Sequence, residues 1–350
     1  MKTSFISNLS VQSAMRATII QVQNELIDAQ REVVSGRYSN LGEELGATTT
    51  RSLNLHRDLA MMNNLISTNS IVTQRLSSTQ MAMETISNAG QTALNTFVAL
   101  AGSTDSTQLS TAVQTLTDVI DQFTDSVNTS VNGEYVLAGI NTDSKPMLDY
   151  MTDEGGAKTA FDTAFSGYFG MAQTDPATIT ITPSDMQNFL TTVVEPMFSG
   201  TDWTTYWSTA SDTPVTSRIS KTEVVQTSAT ANADGFRHLA MASVIGIELL
   251  SANLTSDTRA IVSNQAIKFM GLAINGVDGQ RSELGLSENR VTIANSTLQA
   301  QINIITLNLD DLEGVDVYEA STRITALTNQ MEISYNLTAR ISELSLVNYV

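Results

Sequence analysis

The chain contains no cysteine. Disulfides, zinc–thiolate centres and cysteine nucleophiles are excluded in one step. Histidine is nearly absent as well. His56 and His238 are the only two, too few to make an imidazole metal site by themselves. Both read as residues on helix surfaces. Basic residues are scarce: 18 Lys and Arg face 36 Asp and Glu, for a formal net charge of −18. Such a chain is repelled at long range by nucleic acid and by anionic membranes, and no Lys/Arg-rich run offsets that repulsion. Long apolar runs are also missing. The nearest, IKFMGLAINGV at 267–277, carries Lys268 and falls short of the about 18 residues that span a bilayer. Residues 1–20 lack the apolar stretch of a cleaved secretory signal. The expectation is a protein with no cofactor, no nucleic-acid partner and no membrane partner.

Proline is absent over 1–145 and 222–350; all five lie between Pro146 and Pro214. Half of the aromatic residues, both tryptophans included, lie between Tyr150 and Trp207. Proline costs about 3 kcal/mol inside a helix, so the two flanks are free to hold long helices. The shift in composition marks an insertion between two helical arms.

The arms are periodic. Met15, Ile19, Val22, Leu26, Ala29 and Val33 alternate steps of four and three, a narrow heptad seam near the start of the chain. Leu65, Val72, Thr79, Ile86, Ala93 and Leu100 recur every seven residues. Leu55, Met62, Leu76 and Met83 form a second seam, with Asn69 in its gap. A helix over roughly 50–101 is therefore touched from two sides. Leu109, Val113, Leu116, Ile120, Phe123 and Val127 mark another helix, and Leu284, Val291, Leu298, Ile305 and Leu312 a long one in the second arm. The last segment has Ile324, Leu327 and Met331, a slip in register, then Leu337, Ile341 and Leu344. Strict sevens favour helices that supercoil about one another.

The fold class expected is mainly α: a long helical bundle or coiled coil built from the N- and C-terminal arms, with a smaller α+β domain inserted between them. The boundaries read as 1–34 with 317–350 for a terminal coiled-coil assembly domain, 35–146 with 222–316 for a helical bundle, and 147–221 for the insertion. Within the insertion, ATITIT at 177–182 alternates like a strand. Pro183-Ser184-Asp185 opens a helix, as does Asp234-Gly235 further on. NGEYVLAG at 132–139 reads as a turn and a short strand.

Catalytic signatures are lacking. No nucleophile elbow, phosphate loop or His-Glu-x-x-His string occurs. LDDLEGVD at 309–316 reads as a helix end broken by Gly314, with Asp316 capping the next helix. WTTYW at 203–207 reads as core aromatics. The chain is not expected to be an enzyme.

Helical arms around an insertion resemble the flagellin superfamily, and particular stretches carry the likeness. SGRY at 35–38 is similar to that family's Ser-Gly-Arg/Lys turn. LGLSENRVTIANSTLQAQINIITLNLDDLEGVDVYEA at 284–320 is similar to its second-arm signature, through Leu284, Gly285, Glu288, Asn289, Arg290, Asp316, Glu319 and Ala320. NGEYVLAGINTDSKPM at 132–147 and the tail from Gln330 resemble the family's hook-associated junction members more than its filament flagellins. Glu134 stands where those members carry a basic residue. NLGEELGATTTRS at 40–52 departs from the family pattern.

The resemblance implies a structural component of the bacterial flagellum that joins hook to filament. It implies type III export, an extracellular position at the hook–filament junction, and self-association into a ring. The implied partners are another hook-associated protein, flagellin and an export chaperone. The alternatives are a filament flagellin, or an enzyme or binding module in the insertion. The assembly interface is expected at Met15, Ile19, Val22, Leu26 and Val33 against Ile324, Leu327, Met331, Leu337, Ile341 and Leu344. Helices this narrow in seam are marginal alone, so residues 1–34 and 317–350 are expected to order only when neighbours supply seams.

Overall fold

A computed structural model describes the backbone of residues 8–100, 103 and 105–347, and side chains between residues 10 and 340 of that range. In chain order the elements are α1 (Asn8–Ser35), α2 (Leu41–Leu45), α3 (Thr49–Ala99), α4 (Ser106–Val127), β1 (Ser130–Val131), β2 (Glu134–Tyr135), α5 (Ala157–Phe169), α6 (Pro183–Phe189), α7 (Glu195–Ser199), α8 (Asp202–Tyr206), β3 (Thr216–Arg218), β4 (Val224–Gln226), α9 (Asp234–Leu249), α10 (Ser256–Glu313) and α11 (Val317–Val347). The fold is mainly α, as the periodicity implied. The chain divides into two compact units: residues 1–64 with 297–350, and residues 65–296.

The 65–296 unit holds the main core. Val72, Thr79, Ile86 and Ala93 are buried on one seam of α3, and Asn69, Leu76 and Met83 on the other. Two-sided burial is what two interleaved heptads require. Asn69 is a buried polar residue in an apolar seam. Its Nδ2 donates to the Ile219 carbonyl (3.0 Å) and to Asn295 Oδ1 on α10 (2.7 Å). A lone seam asparagine of this kind fixes register. The start of α4 is capped by Asp105, whose carboxylate accepts from the Thr107 and Gln108 amides. The next helix, α9, is apolar on nearly every face and runs through the core.

Where α9 meets α10, backbones nearly touch. A methyl group on Gly235 would lie 2.8 Å from the Val277 amide nitrogen and 2.9 Å from the Gly276 carbonyl carbon. Backbone cannot step aside as a side chain can. Gly235→Ala is therefore expected to destabilise this unit by about 1–3 kcal/mol, the usual cost of overpacking, read as a lower urea midpoint.

The segment 147–221 shares one continuous core with these helices. Its aromatics form a stack. Tyr150 lies flat on Trp207 (5.1 Å between centroids), and Trp207 on Trp203 (5.5 Å). Trp203 is fully buried and donates its indole N–H to Asn232 Oδ1 (3.0 Å). WTTYW is thus core, as expected. The ATITIT stretch is not a strand. Asp175 accepts from the Ala177 amide, Pro176 sets the first turn, and Pro176–Thr180 winds into a 3₁₀ helix. Local capping and proline overrode the alternating pattern, and among the described residues no strand pairs with it. The next start matches the reading: Thr182 Oγ1 accepts from the Asp185 amide ahead of Pro183. The strands form two small hairpins, β1 with β2 and β3 with β4. Asn132 and Gly133 make the tight turn of the first, both at positive φ.

Candidate assembly interface

In the unit of residues 1–64 and 297–350, α1 packs against α11 along most of its length. The pair is antiparallel, because Glu32 meets Arg323, Gln23 meets Tyr335 and Met15 meets Thr338. Val22, Ala29 and Leu327 are buried at its centre, with Leu26, Ile324 and Met331 packed around them. Met15, Ile19 and Val33 are half-buried. The seam at the start of the chain thus meets the end of the chain.

One position differs from expectation. Leu337 is 48% exposed and lies off this seam; Thr338 takes the inward place, with its hydroxyl 3.9 Å from Met15 Sδ. The helix continues without the slip read from the sequence, so apolar Leu337 turns outward and a threonine turns in. The side chains of Ile341 and Leu344 lie outside the described residues.

One end of this pair is tied by a polar clasp. The turn after α1 needs Gly36 at φ 68°, a left-handed conformation. That turn lays Arg37 alongside Gly314 as an isolated antiparallel bridge. The Tyr38 amide donates to the Glu313 carbonyl (3.0 Å), and the Val315 amide to the Gly36 carbonyl (3.0 Å). Inside the turn sits the Glu313 carboxylate, its side chain 1% exposed. Ser52 Oγ donates to Oε1 (2.5 Å), His56 Nε2 lies 2.8 Å from the same oxygen, and Arg37 Nη1 donates to Oε2 (3.1 Å). Burial alone would raise the Glu313 pKa. The hydrogen bonds from Ser52 and His56, with the charges of His56 and Arg37, outweigh it and hold the group below the ordinary carboxylate value. A second buried carboxylate, Glu32, accepts from the Ser39 amide (3.2 Å) and from Arg323 Nη1 (3.3 Å). Asp316 caps α11 by accepting from the Tyr318 and Glu319 amides.

Glu313 and Glu32 are the buried, paired carboxylates that the periodicity missed. Each falls among apolar seam positions, and a carboxylate there facing an arginine on another segment is the signal that could have found them. His56 is likewise a member of the clasp. His238, the other histidine, is half-buried against Phe269, and burial lowers its pKa. Among the described residues no cluster of His, Asp and Glu could hold a metal ion. No helix there is long and apolar enough to cross a membrane.

The comparisons with known proteins agree with this arrangement. Residues 6–142 match the bacterial flagellin N-terminal helical region, and residues 267–350 the bacterial flagellin C-terminal helical region. Together these span well over half of the chain, which belongs to the flagellin family. Its fold is similar to that of a provisionally assigned flagellar hook-associated protein from Vibrio parahaemolyticus. The TM-score is 0.54 at 12% identity, over 77% of this chain and 99% of that one. No curated protein matches the chain. The SGRY turn and the end of the second-arm signature, quoted above as separate motifs, are the two halves of the clasp.

Proposed function

We propose that this flagellar structural protein joins the hook to the filament as a hook-associated junction protein. The observation that carries the reading is the stretch 132–147, which resembles the junction members and leads into the insertion. The fold similarity to a hook-associated protein supports it. On this reading the terminal segments 1–34 and 317–350 are the assembly domain, 35–146 and 222–316 the helical bundle, and 147–221 the inserted α+β domain. The chain leaves the cell by type III export, held beforehand by an export chaperone, and forms a ring between another hook-associated protein and flagellin. Its role is structural rather than catalytic.

The test is position. Gold-labelled antibody against the chain is expected at a single band where hook meets filament. Label along the whole filament would instead make it a filament flagellin.

The same reading makes the terminal pair an element completed by neighbours. Among the described residues its buried apolar stock is Val22, Ala29, Ala320 and Leu327, small against the conformational entropy of two long helices. Amide exchange in the monomer is expected to be fast over 8–34 and 317–347 and slow over α9. Protection of both terminal segments in the monomer would contradict this.

A further inference from the structure

The face of α1 turned away from α11 is neither bare polar surface nor buried. Ile20, Ile27 and Val34 stand there at steps of seven, all exposed, Val34 by 89%. Arg31 lies one turn beyond Ile27 on the same face, its side chain 70% exposed and held only loosely to Asp28 at 3.6 Å. Ile27, Arg31 and Val34 form one wall of an open groove of about 720 Å³, whose other side includes Tyr38, Leu41 and His56. Arg37 and His56 in this groove are already engaged by Glu313, which leaves Arg31 as its exposed cation. In a chain of net charge −18, isoleucine and valine beside Arg31 are complementary to an amphipathic helix that presents an acid.

The same unit carries such a helix face elsewhere. On α10, Leu298, Ile305 and Leu309 are buried, while Ile304, Leu307 and Asp311 are exposed on the opposite side, Leu307 by 65%. Their steps of three and four place them in one line over two turns. Tyr318, at the start of α11, is 88% exposed.

We infer that the α1 groove of one copy receives the exposed Ile304–Leu307–Asp311 face of α10 from a second copy, with Arg31 opposite Asp311. This rests on the self-association in the reading above and names the two surfaces that meet. The surfaces are different patches of one chain, so the contact is heterologous. Each copy keeps one unused half, and the contact propagates into a ring or helix rather than closing as a two-fold dimer.

The absence of cysteine makes a clean test. Val34→Cys and Leu307→Cys are placed in separate full-length chains, both at exposed positions, with circular dichroism confirming unchanged helix content. On oxidation of an equal mixture, covalent dimer is expected at about tenfold the yield of either variant alone. Arg31→Glu in the Val34→Cys chain is expected to cut that yield about tenfold, and Asp311→Arg in the partner chain to restore it. Equal cross-linking by either variant alone would overturn the inference, as would a mixture that gives no dimer, or charge reversal that is not rescued. Gold label at the hook–filament boundary together with no cross-link would overturn the pairing and leave the junction reading standing.

Discussion

Glu313→Gln is expected to lower the stability of the terminal unit by about 3 kcal/mol, one of the largest effects in the molecule. The substitution keeps the shape of the side chain and removes its charge. Arg37 and His56 then face a neutral amide, and Oε1, which meets both Ser52 and His56, is replaced or turned. Arg37 and His56 are partly exposed, so water recovers some of the loss, which holds the cost at the low end for a broken buried pair. The control is Asp310→Asn. Asp310 also binds Arg37, at 3.1 Å, but is itself largely exposed, and its loss is expected to cost no more than about 1 kcal/mol. Amide exchange over the 36–40 turn and over residues 52–56 of α3, which carry the Glu313 partners Ser52 and His56, reads both. Equal effects from the two variants would mean that burial of Glu313 is irrelevant.

A pH dependence follows, with a definite sign. The folded-state pKa of Glu313 is below its ordinary value of 4.5. Its contribution is therefore fully present above about 4.5 and lost as pH falls from there through the lowered folded value. The terminal unit is expected to loosen in that acid window, and Glu313→Gln to flatten the profile there. A wild-type profile that is flat through the window would count against the clasp.

Val22→Asp has the second large effect. Val22 is 2% exposed at the middle of the α1–α11 seam. An unpaired carboxylate there costs about 3 kcal/mol or more unless the helices part to let water in. Among the described residues, Ala29 and Leu327 alone share the buried centre, so parting is the cheaper outcome. The 65–296 unit has its own core and should stay folded. Limited proteolysis is expected to leave the same resistant central fragment from the variant and the wild-type monomer, and the variant is expected not to enter flagella. Leu26→Asp, at the half-buried edge of the seam, should act in the same direction. Incorporation at the wild-type level would show that the seam is not used in assembly.

The helices were legible because their signals are redundant. In α3 the two heptads agree over five turns or more, and no proline intervenes. The pairing of α1 with α11 was legible for the same reason at its centre. It failed at Leu337, where the sequence placed a leucine and the helix, continuing in register, placed Thr338. The ATITIT error had the opposite cause. A local cap at Asp175 and a proline outweighed an alternation with nothing to pair with. The clasp was visible only in pieces: the SGRY turn ends at Tyr38 and the acidic LDDLEGVD stretch begins at Leu309, 271 positions further along the chain. Periodicity treats Glu313 as a polar residue at a helix end. Its role depends on Arg37, Ser52 and His56 arriving from elsewhere in the sequence, and that convergence is tertiary.

The most direct test of the account is electron microscopy of cells lacking this chain, with the culture medium assayed for flagellin. The account predicts hooks without filaments and flagellin shed into the medium, reversed by the wild-type chain and not by Val22→Asp. Full-length filaments on the deleted cells would contradict it.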